Sequence, residues 1–277
     1  MSMQSPGITP LAACGRSGLQ VIYTNPPLDF LYRNMNSTDP NATACDAAME
    51  FAHRLVPVWR ATLGQELLGL YLIGSLAHGG FSRRYSDIDI AVITESGLSP
   101  QMLDSLRHQA TALSAEWGPK ASVFWTDRQF GVGRFPPLDR LDYLDRPVVL
   151  VENERVMPAR PALQDIRDYL RGPPFLNWAT RAKEFAIAGA LEAKDRKAYL
   201  RALLYPARLC FSYATGLMTS NDDAVAYLRE RTPPGLDLDS IERALQCRRA
   251  AADPDSLFDL RSRLPAQVDA CTAIVAA

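Results

Sequence analysis

The period of the apolar positions changes three times along the chain. Ala44, Ala47, Ala48, Phe51, Leu55, Val58, Trp59 and Leu63 recur at helical spacing. Asp39-Pro40 supplies an N-cap and a first-turn proline, Pro57 predicts a bend, and Gly64 a stop. Leu70–Ile73 and Ile88–Ile93 then read as strands, linked through a tight turn at Gly74-Ser75 and a loop bearing Gly79-Gly80. A helix capped by Ser99-Pro100 follows, its buried stripe being Met102, Leu103, Leu106, Ala110, Leu113 and Trp117, and Gly118-Pro119 ends it. Residues 120–126 and 147–153 read as two further strands. Between them PPLDRLDYLDRP predicts a short helix with Leu138, Leu141 and Leu144 along one edge. Asp139, Asp142 and Asp145 are expected to form a solvated face, partly balanced by Arg140 and Arg146, with binding of cationic ligands as the lesser alternative.

Beyond Pro158–Pro161 the pattern is helical throughout, at 163–171, 176–191, 194–215, 221–231, 239–250 and 254–274, with prolines and glycines between the helices. The opening residues to about 38 mix Gly, Pro, Ser and Asn without sustained periodicity. Only 19–23 could form a strand there and 28–34 a helical turn. The expected organisation is therefore an N-terminal extension over 1–40, partly disordered, a small mixed-sheet domain over 41–157, and an all-α helical-bundle domain over 158–277. The fold class is α+β.

Composition changes this picture little. In a chain of 277 residues, 47% hydrophobic and 22% charged, there is material for a full core in one large or two modest domains. A formal net charge of −1 provides no global basic field, which argues against nucleic acid as a partner. The five cysteines are scattered without metal-ligand spacing, no apolar run reaches the ~20 residues of a membrane span, and no secretory pattern opens the chain. A cytoplasmic protein with reduced thiols is the expectation, and Cys210 and Cys247 are expected in the core.

Candidate chemistry concentrates in GLYLIGSLAHGGFSRRYSDIDIAVIT, residues 69–94. Asp87 and Asp89 sit on alternate residues at the start of an apolar strand, so they project to one side. Two neighbouring carboxylates in such a setting need a cation. Mg²⁺ suits them, because it takes hard oxygen ligands and leaves positions for phosphate oxygens. Gly74 allows a close backbone turn, and Ser75 offers a hydroxyl and an N–H to phosphate. In the loop, Arg83 and Arg84 could contact a triphosphate through guanidinium forks or be solvated, and His78 is expected as a polar loop residue.

This Gly-Ser, loop, Asp-x-Asp arrangement resembles the nucleotidyltransferase superfamily of the polymerase-beta type. The resemblance implies that Gly74-Ser75 holds a nucleoside triphosphate while Asp87 and Asp89 hold one or two Mg²⁺ ions. It also implies a third carboxylate on the strand at 120–126. There the chain departs from the pattern, with Lys120 and Ser122 at the expected place. Asp127 and Glu116 could substitute only in another register, and Asp127 is expected to cap a turn.

A second segment, ARLCFSYATGLMTSNDDAVAYL (207–228), looks like the C-terminal domain of streptomycin/spectinomycin adenylyltransferases. Here Arg208 lies on the helix that ends at Thr215-Gly216, and the next helix opens near Asp222-Asp223-Ala224. The resemblance implies that Arg208 faces the nucleotide. Asn221 stands where that family commonly has a lysine, and Lys194-Asp195-Arg196-Lys197-Ala198-Tyr199 replaces a helix that bears acids and a tryptophan for the aminoglycoside. Trp178, Glu184, Glu192 and Asp195 are available as acceptor contacts, and packing or plain surface accounts for each equally well.

The function expected is transfer of a nucleoside monophosphate, AMP from ATP, onto a hydroxyl of a small molecule, with Mg²⁺ as cofactor and no membrane partner. A nucleotide-binding pseudoenzyme or regulatory protein, a protein-modifying nucleotidyltransferase, and an interaction protein with a surface Asp pair remain as alternatives.

Overall fold

A computed structural model describes residues 40–277. The N-cap at Asp39, Cys14, and the elements expected at 19–23 and 28–34 lie outside the described residues. Helix α1 (Pro40–Leu63) runs unbroken through Pro57 and stops at Gly64, whose φ is +55°. Strand β1 (Leu67–Ile73), a one-turn helix α2 (Ser75–His78), strand β2 (Ile88–Thr94) and helix α3 (Pro100–Leu113) follow. The Ser99 side chain accepts the Met102 N–H, so the expected cap of α3 forms. Strand β3 (Ala121–Thr126), the two-residue β4 (Gly133–Arg134), helix α4 (Pro137–Asp145) and strand β5 (Val148–Glu152) complete the sheet-bearing half.

The sheet has the order β4-β3-β2-β1-β5 and is mixed. Strand β1 lies antiparallel to both β2 and β5, while β2 and β3 run parallel. Its two faces build separate apolar layers. Leu70, Leu72, Ile88, Ile90 and Val92 pack under α1 and α3 with Trp59 and Leu106. The opposite face presents Tyr71, Ile73, Ala91, Ile93 and Phe124 to Phe130, Phe135 and Tyr143 of the β3–α4 region. Strand β1 is buried along its whole length for this reason. At about 1.5–3 kcal/mol for each fully buried large apolar side chain, these two layers fix which face every β2 residue occupies. Asp89, in step with Ala91 and Ile93, is therefore held on the α4 side.

The helical half contains α5 (Leu163–Arg171), α6 (Pro173–Ile187), α7 (Arg196–Thr215), α8 (Asn221–Glu230), α9 (Leu238–Arg249) and α10 (Leu264–Ala276), with a 3₁₀ segment at Pro254–Arg263. The last predicted helix, 254–274, is thus split, and only its second part is α-helical. Helix α7 is the axis of this bundle, burying Leu200, Leu203, Leu204, Ala207 and Leu209, and it ends in a left-handed cap at Gly216. The same core takes in Tyr85 and Leu141 from the sheet-bearing half. An α+β fold with a small mixed sheet and a following helical bundle matches the sequence pattern.

Candidate active site

Site geometry starts at the end of β1. Gly74 has φ +71° and ψ −159°, a conformation that side-chain-bearing residues rarely adopt. Across the ladder Ile73 pairs with Asp89, which brings the Asp89 carboxylate against this turn. A Cβ on Gly74 would lie 2.4 Å from Asp89 Oδ2. The glycine is thus required twice, by its dihedral and by the acid beside it.

A cavity of about 400 Å³ opens here between the sheet and α7. Gly74, Ser75, Asp87 and Asp89 all line it, so the structure brings the core of the predicted motif together. Arg208, from α7, lines the same cavity, and its Nη2 lies 3.2 Å from the Met218 sulfur. Ser75 Oγ donates to Ser86 Oγ at 3.0 Å.

Arg83 and Arg84 do not line the cavity. Arg83 pairs with Glu116 at 2.9 Å and Arg84 with Asp253 at 2.8 Å, each about two-fifths exposed or more, so the loop turns both guanidinium groups outward. The structure thus does not bring them together with Gly74, Ser75, Asp87, Asp89 and Arg208. Arg248, which the sequence did not single out, takes the inner position. From the end of α9 its Nη2 donates to Ser86 Oγ at 2.7 Å and to the Gly80 carbonyl at 3.3 Å. Burial and the neighbouring Arg208 lower its pKa to about 10. Two cations converging in a half-enclosed space form a setting that an anion relieves.

The strand register settles what faces Asp89 on the third strand. Asp89 pairs with Ser122, and no acid stands at that point. Lys120 turns away, lying over the Trp117 ring and donating to the Arg83 carbonyl. Glu116 is the surface partner of Arg83. Asp127 caps a turn, accepting the Gly131 and Val132 N–H groups at 2.7 and 3.2 Å.

The acids come instead from α4. The expected solvated aspartate face is largely wrong: Asp142 is 3% exposed, and both Asp139 and Asp142 line the cavity. Only Asp145 stays at the edge, paired with Arg160 at 2.6 Å. Helix α4 is clamped on its sheet side by Tyr143, whose ring meets Tyr71 edge-on at 4.9 Å, and on its other side by the bundle core around Leu141. Leu141, Asp142 and Tyr143 are consequently buried in succession. Asp142 Oδ2 accepts the Gly74 N–H at 2.6 Å and lies 3.4 Å from Nε2 of His78, which is buried rather than a solvated loop residue. Nothing in the alternation of Leu and Asp marks a helix packed on both sides.

The charges are unequally settled. Burial first, then Asp87 and Asp142, push the Asp89 carboxyl up to about 6. Burial, then Asp89 and Asp142, push Asp139 up to about 7. Asp87, about one-third exposed, has Lys197 Nζ at 2.6 Å and Arg201 Nη2 at 3.7 Å, both from α7. A protein cation therefore already sits where the acid pair calls for one. Among the described residues no group of three or more His, Cys, Asp or Glu forms a complete metal cage. Asp87 and Asp89, both lining the cavity, offer hard carboxylate oxygens of the kind a divalent ion shares with substrate phosphates.

No protein-family model and no curated protein sequence matches the chain. Among solved structures it is similar to the spectinomycin adenyltransferase AAD(9) from Enterococcus faecialis, determined with ATP and spectinomycin. The TM-score is 0.60 at 14% identity, covering 81% of this chain and 99% of that one. The likeness is one of fold: the described part of this chain folds as that structure does.

Proposed function

We propose that this protein transfers a nucleoside monophosphate, AMP from ATP, to a hydroxyl of a small molecule with Mg²⁺. The observation that carries the reading is the close approach of Asp89 to Gly74 in the lining of a cavity that also holds Asp87 and Arg208. Residues 41–157 would provide the nucleotide-transfer half and 158–277 the half that closes over it.

Asp87 and Asp89 would hold the metal. When bound, Mg²⁺ supplies charge neutralisation at the phosphates and orients them for in-line displacement. Ser75 and Ser86 offer hydroxyls at the triphosphate end, and Arg208 and Arg248 offset the charge that builds on the departing pyrophosphate. The acceptor oxygen forms a bond to the α-phosphorus, the bond from that phosphorus to the bridging oxygen breaks, and pyrophosphate leaves with the electron pair. The hydroxyl proton needs a base. Asp139, which lines the cavity, would be that base, with Asp142 held by the Gly74 N–H and Asp87 and Asp89 assigned to the metal.

The test is pyrophosphate release with each of the four triphosphates across a panel of hydroxylated acceptors, using Asp87→Asn and Asp89→Asn as controls. Release that depends on acceptor and Mg²⁺ and vanishes in both variants supports the reading. Unchanged release in both variants defeats it.

One observation favours a second reading, a nucleotide-binding protein without turnover. Ser122 stands where an acid would face Asp89, and Lys197 occupies Asp87. Mg²⁺-dependent ATP binding with no pyrophosphate released from ATP in the presence of any acceptor, small molecule or polypeptide, would select it.

A further inference from the structure

We infer that the acceptor is a small hydroxylated anion, bearing a phosphate or a carboxylate, and that Lys197 and Arg201 hold its charged group. The inference deepens the nucleotidyl-transfer reading and rests on it. Lys197 and Arg201 are separated by one helical turn on α7, so they share a face, and both side chains line the cavity. Arg196, one residue earlier, faces elsewhere and pairs with Asp253 and Asp255. The first turns of α7 thus send an ammonium and a guanidinium to Asp87, while Arg248 binds the neighbouring Ser86.

The groups that would hold a polycationic acceptor are withdrawn from this space. Glu184 and Asp195 are both spent on Arg181, and Glu192 pairs with Lys194 on the surface. Trp178 is a core residue, its indole N–H bonded to the Ala202 carbonyl at 2.9 Å and its ring stacked on Tyr205 at 4.8 Å. Of the four residues available by sequence, none lines the cavity. Of the cavity's own acids, Asp142 is held by the Gly74 N–H and Asp87 by the cations of α7.

Physical consequences follow for the acceptor. Once Asp87 turns to a divalent ion, Lys197 and Arg201 lose their present partner while keeping their positions on α7. A phosphate or carboxylate would regain charge-assisted hydrogen bonds from both. A polyamine would put like charge against them and be rejected.

The experiment uses the full chain, with Mg²⁺ and the non-hydrolysable α,β-methylene analogue of ATP, followed by calorimetry and thermal shift. The probes are glucose 6-phosphate, glycerol 3-phosphate, gluconate, glucose, glucosamine and spectinomycin. At least one anion should bind about tenfold or more tighter than glucose and glucosamine, as expected for charge-assisted hydrogen bonds that the neutral and cationic probes lack. Phosphate and carboxylate arms tell the two anion types apart. Lys197→Glu and Arg201→Glu should each remove that preference, while Lys197→Arg should retain it, which separates lost charge from lost folding. Equal binding of all probes, preference for glucosamine or spectinomycin, or an anion preference that survives both charge reversals overturns the inference. Absence of any Mg²⁺-dependent shift with the nucleotide analogue alone marks a different failure, that of the nucleotide reading itself.

Discussion

The Asp89 carboxylate lies so close to the Gly74 backbone that a methyl group on Gly74 would meet Oδ2 at 2.4 Å. Gly74→Ala should therefore displace Asp89 and strain the turn by about 1–3 kcal/mol. The expected result is a lower melting temperature together with loss of the Mg²⁺-dependent shift by ATP, read in one thermal-shift series.

Asp87→Asn and Asp89→Asn should differ in the free protein yet agree with ligand. The first removes the partner of Lys197 and Arg201; the second relieves a buried acid in a cluster of acids. Both should lose Mg²⁺·ATP binding while circular dichroism stays unchanged. Binding that survives in either variant would place the metal elsewhere.

Asp139→Asn separates stability from turnover. Removing a desolvated acid beside Asp89 and Asp142 should stabilise the free protein by ~1 kcal/mol, a rise of about 2–4 °C in Tm for a chain of this size. Transfer should fall by about 10²–10⁴-fold as the proton acceptor is lost. A variant no more stable and fully active would remove Asp139 from the site.

The pH dependence has a definite sign. Asp89 and Asp139 hold their protons to about pH 6 and 7 in the folded chain, well above the ordinary value of 3.8. Between these limits the native state binds more protons than the unfolded chain, so these two groups lower stability as pH rises from about 4 to 7. Denaturant melts of wild type and Asp139→Asn across this window should show a shallower fall in the variant.

Arg248→Ala should weaken Mg²⁺·ATP binding about 10- to 100-fold, as expected for loss of a cation bonded near phosphate. Arg83→Ala and Arg84→Ala should leave it unchanged, because their partners are Glu116 and Asp253 outside the cavity. Isothermal titration of the three variants decides between inner and outer arginines.

Much of this architecture was legible in the chain because local rules carry it. Alternation fixed that Asp87 and Asp89 share a side, Ser99 and Gly216 marked helix ends, and helical spacing found the bundle. Of the residues lining the cavity, Gly74, Ser75, Asp87 and Asp89 could be named from a short motif, and Arg208 from the resemblance of residues 207–228. Arg248 could not, and the contact of Lys197 with Asp87 could not, because these side chains lie 162 and 110 residues from the ones they meet, Ser86 and Asp87.

What the sequence determined by itself, then, is the sheet-and-bundle plan and an acid pair beside a glycine turn, both consequences of periodicity over a few residues. Tertiary structure alone decided that α4 is packed on two sides, turning Asp139 and Asp142 inward, and that α7 lays cations against Asp87. A surface and a buried face look identical in an alternating run of Leu and Asp. Only the second packing partner, brought in from far along the chain, distinguishes them.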